Sequence, residues 1–149
     1  MSILIGNKEY TLEYTFEASL FGECTEKLTL LLTDFFTAEN RDDAKKIIAS
    51  ISDIPSVTLT IFHAGLLEHH SDEVKTKDDS KKLLAQYLRE HKGEETGNFY
   101  GVLELAIAQM EEDGFFDLIG LTRMFAPTET KNVKAPQDHK KKATKATEK

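Results

Sequence analysis

The chain has 149 residues, a formal net charge of −7, 40% apolar and 30% charged residues, and a single cysteine. That length suits one domain able to bury a core without staples, and one cysteine excludes an internal disulfide. No apolar run approaches 18 residues, and the start has no basic flank leading into an apolar stretch, so neither a membrane span nor a signal peptide is expected.

The charge is uneven. From Thr128 to Lys149 seven lysines face three acids, a balance of +4, which leaves −11 for residues 1–127. An acidic body argues against a nucleic-acid surface, whose affinity rests on neutralising phosphates, and it suits a partner with basic segments.

At the N-terminus, Ile3 and Ile5, then Tyr10, Leu12 and Tyr14, alternate with their neighbours around Gly6-Asn7-Lys8. This pattern predicts two strands and a turn. The period changes at Thr15: Phe16, Leu20, Cys24, Leu28, Leu31, Leu32 and Phe35 recur every three or four residues and predict one helix to Phe36, with Gly22 as a weak point. Asn40-Arg41-Asp42-Asp43 resembles a capping box ahead of a stripe through Ile47, Ile48 and Ile51. Asp53 and Pro55 then predict a fresh helix start, with Asp at the cap and Pro in the first turn, running to Glu68 and beyond. Residues 71–79 lack an apolar period and read as a loop. Ser80 to His91 shows one apolar face and stops at Gly93. Asn98 to Asp113 shows another and stops at Gly114, and Phe115 to Phe125 reads as a last helical stretch. Beyond Pro127 almost nothing is apolar, and the tail reads as disordered. The expected architecture is mainly α: a compact helical domain, 1–127, of five or six helices with a small N-terminal β-hairpin, and a basic disordered tail, 128–149.

Three of the five histidines, His63, His69 and His70, fall within eight positions. A helical zinc pair needs i, i+4 spacing, which these residues do not have. They read instead as the end of a helix, where histidine favours the negative pole of the dipole. Cys24 lies on an apolar face and reads as a small core residue. The eight glycines are scattered, no phosphate loop forms, and no serine elbow is present. Glu111-Glu112-Asp113 opposes the dipole at a helix C-terminus, as an exposed or partner-facing end does. Catalytic residues, a metal site and a cofactor are therefore not expected.

The unusual feature is paired aromatics: Phe35-Phe36, Phe99-Tyr100 and Phe115-Phe116. Two adjacent helical residues cannot both face one narrow core, so Phe36, Tyr100, Phe115 and Phe116 are the candidate partner-binding residues.

The hairpin ending in Tyr14 and Phe16, the segment SDIPSVTLTIFHAGLLEHHSDE, the helix KLLAQYLREHKG and the helix LELAIAQMEEDGFF together resemble tail assembly chaperones of long-tailed bacteriophages and prophages of Gram-positive hosts. The resemblance spans residues 1 to about 126, and IFHAGLLEHHSDE carries most of it. It implies a non-enzymatic protein of the host cytoplasm that is absent from the finished virion. Such a protein binds the tape measure protein, keeps it soluble, and helps recruit tail tube (major tail) subunits. Self-association, and a longer frameshifted form, are implied as well. The competing reading is a small nucleic-acid-binding or regulatory protein acting through its Lys-rich tail; the −11 body opposes it.

Overall fold

A computed structural model of the chain describes residues 1–37 and 44–122, with side chains for 1–33 and 51–122. The expected cap at 40–43 and the tail at 128–149 lie outside these residues. The order is β1 (Ser2–Ile5), β2 (Lys8–Thr11), α1 (Phe16–Leu20), α2 (Gly22–Thr37), α3 (Ala44–His70), α4 (Lys77–Glu90), α5 (Phe99–Glu112) and α6 (Phe115–Leu118). The protein is mostly helical, with one two-stranded antiparallel hairpin.

Ile3 pairs with Tyr10 and Ile5 with Lys8 across that hairpin. Gly6, at φ +63, is the only residue of the tight turn with positive φ, which is the type II′ geometry that matches strand twist. The alternation sends Ile3, Ile5, Tyr10, Leu12 and Tyr14 into the core. A lone hairpin is marginal in water; this one lies on α3 and α4, which complete its buried face.

α3 is the hub, in contact with α1, α2, α4, α5 and β2. From Val57 to Leu66 every residue but Leu59 is buried, as expected of a helix surrounded on all sides. Its polar side chains there are satisfied: the Thr58 hydroxyl donates to the Phe99 carbonyl at 3.0 Å, and His63 Nδ1 and Ser80 Oγ are hydrogen-bonded at 2.8 Å.

Several boundaries differ from expectation. α3 does not restart at Asp53; it runs through Pro55. The proline forfeits one helical hydrogen bond and crowds the preceding turn, a cost of about 3 kcal/mol. Its ring is exposed, so the penalty is confined to the backbone, and burial of the next three turns outweighs it. The single helix expected from Thr15 to Phe36 is broken between Leu20 and Gly22, where Phe21 leaves helical geometry at φ −79, ψ 85. α4 begins three residues early because Thr76 and Asp79 cap each other reciprocally, an Asp version of the capping box. The last stretch is interrupted: α6 ends at Leu118, Gly120 turns the backbone at φ +78, and helical geometry resumes at 121–122, the last residues described.

Candidate interaction surface

Tyr100 and Phe115 do not share a surface. Tyr100 is 52% exposed in the first turn of α5. Phe115 follows the far end of that 14-residue helix, a span of about 21 Å. Phe115 itself is fully buried, its ring edge-on to Tyr14 with centroids 6.3 Å apart. Gly114, at φ +71, turns the chain so that Phe115 points inward. Phe115 is thus a core residue and not a surface contact. Phe116 is partly buried against the same core. The side chain of Phe36 lies outside the described residues.

The histidines divide in two. His63 is a core residue rather than a helix end, tied to Ser80 and edge-on to Phe21 at 5.3 Å. His69 and His70 do end α3, and both fasten the hairpin. His69 Nε2 bonds Glu13 at 2.5 Å, and the backbone N–H of Thr11 donates to His70 Nε2 at 2.9 Å. Lys8 pairs with Glu73 beside them. Burial pushes the pKa of His63 and of His70 below the ordinary imidazole value. For His70 the geometry requires the same, since a nitrogen accepting from an N–H carries no proton. Among the described residues no three His, Cys, Asp or Glu side chains are grouped to hold a metal. Burial pushes the Cys24 thiol up to about 12, far from the reactive thiolate range. The acidic end of α5 is partly structural: the Tyr14 N–H donates to Asp113 Oδ2 at 2.7 Å, and Gln109 holds the other oxygen.

Among the described residues, exposed apolar side chains gather at the α1–α2 elbow. Phe16 is 61%, Leu20 65% and Leu30 59% exposed. A groove of about 530 Å³ opens there, lined by Ser19, Gly22, Thr25, Glu26, Thr29 and Leu30. In sequence this lining reads as polar, which hid it. In the fold the hydroxyls turn back into their own helices: Ser19 donates to the Phe16 carbonyl at 2.7 Å, and Thr29 donates to the Thr25 carbonyl at 2.7 Å. Such back-bonding consumes the polar group. The Thr25 hydroxyl is buried without a hydrogen-bond partner. Gly22 contributes space: a Cβ built on it meets nothing within 4 Å. Glu26 is the one charged member of the lining, and it pairs with no cation among the described residues.

No helix among the described residues is long and apolar enough to cross a membrane. No protein-family profile, no curated protein and no solved structure matches the chain.

Proposed function

We propose that this protein is a tail assembly chaperone of a long-tailed phage or prophage: a non-enzymatic, self-associating protein of the host cytoplasm that binds the tape measure protein, keeps it soluble and helps recruit tail tube subunits. The resemblance of residues 1–126 to that family suggests the class. The observation that supports it in the fold is the apolar face at the α1–α2 elbow, on a body that carries −11. A long helical client exposes apolar ridges before the tube encloses it, and an apolar groove on an acidic, soluble body is suited to cover them. His63, His69, His70 and Cys24 are all engaged in packing or in fastening the hairpin, which is consistent with action by binding.

Co-expression is the test. The tape measure protein is expected to stay soluble and to co-purify when made with this chain, and to precipitate without it. Added salt is expected to slow association more than it weakens the formed complex, because screening acts on exposed charges over about 8–10 Å while the apolar contact persists. Absence of a soluble complex at any salt concentration rules the assignment out.

A further inference from the structure

The groove on the outer face of α2 has a shape and a charge that specify more than "apolar". Gly22, Thr25, Glu26, Thr29 and Leu30 fall at i, i+3, i+4, i+7 and i+8, which is a single helix face. From Gly22 to Leu30 the face extends about 12 Å, a little over two turns. Its small members, Gly22 and the two threonines, allow a second helix to approach at the short end of the 8–10 Å interaxial range. The surrounding charge is one-sided. Residues 16–37 hold four acids, Glu17, Glu23, Glu26 and Asp34, against one lysine. That lysine, Lys27, is occupied by Glu23 and Ser56. Glu23 in turn is claimed by Lys77 at 2.5 Å, which leaves Glu26 in the groove and the exposed Glu17 nearby without a cation among the described residues.

We infer that this groove is the docking site for an amphipathic partner helix whose apolar ridge is flanked by Lys or Arg. The inference rests on the chaperone reading and gives it a location and a partner chemistry. A second copy of the same face is the wrong occupant, because an isologous contact would set Glu26 and Glu17 near their own equivalents. A partner ridge fills the space beside Gly22 and packs on Thr25, Thr29 and Leu30. Its basic flanks meet Glu26 and Glu17.

The probe is a synthetic helical peptide of about five turns with a Leu/Ala ridge and Lys flanks, compared with a twin carrying Glu in place of Lys. Both are titrated against the full chain by fluorescence anisotropy at low salt. The Lys peptide is expected to bind, and the Glu twin to bind at least about tenfold more weakly. Gly22→Leu, which fills the groove from a position where the added Cβ meets open space, and Leu30→Asp are each expected to weaken the Lys peptide by about tenfold or more. Equal binding of the two peptides, or wild-type binding by Gly22→Leu, overturns the inference, as does a wild-type dimer that Gly22→Leu dissociates. Should Leu30→Asp melt early, Gly22→Leu decides alone. The two readings fail separately. A tape measure complex that survives Gly22→Leu moves the site and leaves the chaperone reading standing. Peptide binding without any tape measure complex keeps the groove and removes the chaperone.

Discussion

The hairpin seated on the end of α3 and the elbow of α1 and α2 are built from similar residues put to opposite uses. At the hairpin, polar groups reach between elements: Thr11 to His70, Glu13 to His69, Lys8 to Glu73, and the Gly6 N–H to Glu90 at 2.8 Å. At the elbow, Ser19 and Thr29 bond only to the helix they stand on. Gly65 is a contact glycine, where a Cβ would meet the Tyr14 ring at 2.7 Å, whereas Gly22 faces open space. The first region spends its side chains on cohesion. The second leaves apolar surface uncovered, although burying it would stabilise the fold by about 25 cal/mol per Å². Uncovered apolar surface of that kind is what the proposed docking of a partner helix would cover.

Substitutions sharpen the contrast. The largest effect is expected at the hub: Phe62→Ala removes a fully buried ring and should cost about 3–5 kcal/mol in chemical denaturation. Next comes acid. His63 and His70 both titrate below the ordinary imidazole value of 6.5, first of all because they are buried. For His70, Glu73 opposes that shift while Lys8 and His69 assist it; for His63, Lys77 assists while Glu23 and Asp79 oppose. A depressed histidine means that the unfolded chain takes up protons more readily. The contribution is therefore whole above about pH 6.5 and is lost as pH falls through the folded values. Melting temperature should drop from pH 7 to pH 5, and hydrogen exchange at Thr11 should rise first, since its N–H loses its acceptor.

Smaller effects follow. Thr76→Ala breaks the cap of α4 and should cost about 1 kcal/mol. Tyr14→Phe should cost little or even stabilise by up to about 1 kcal/mol, because the buried hydroxyl has no hydrogen-bond partner. Gly22→Ala should stabilise slightly, by at most about 1 kcal/mol, since the elbow has room for it. A large loss from Gly22→Ala would show that the elbow is packed after all and would erase the contrast between the regions.

The sequence displayed the fold better than the surface. Alternation at Ile3, Ile5, Tyr10, Leu12 and Tyr14 marked the hairpin because one face is buried and one is not. Asn98 and Gly114 bracketed α5 by cap chemistry that acts locally. Pro55 misled because its cost is local while the burial that outweighs it comes from five other elements. The pair Phe115-Phe116 could not be resolved by period alone: a left-handed Gly114 decides which ring turns inward. His63 and His70 looked alike as letters, yet one packs against α4 and the other accepts from β2, a distinction only tertiary placement supplies. The elbow groove was illegible for a different reason. Ser, Thr and Gly count as polar or neutral in any composition; here Ser19 and Thr29 turn their hydroxyls back into the helix, Thr25 buries its own, and Gly22 adds open space.

The most direct measurement is the soluble yield of the tape measure protein co-expressed with three partners: the wild-type chain, Gly22→Leu, and Phe62→Ala. The account predicts a soluble complex with wild type, and loss of the complex with Gly22→Leu at unchanged melting temperature. It predicts loss with Phe62→Ala only alongside loss of the fold. A tape measure protein that precipitates equally with the wild-type chain and without it would contradict the account at its centre.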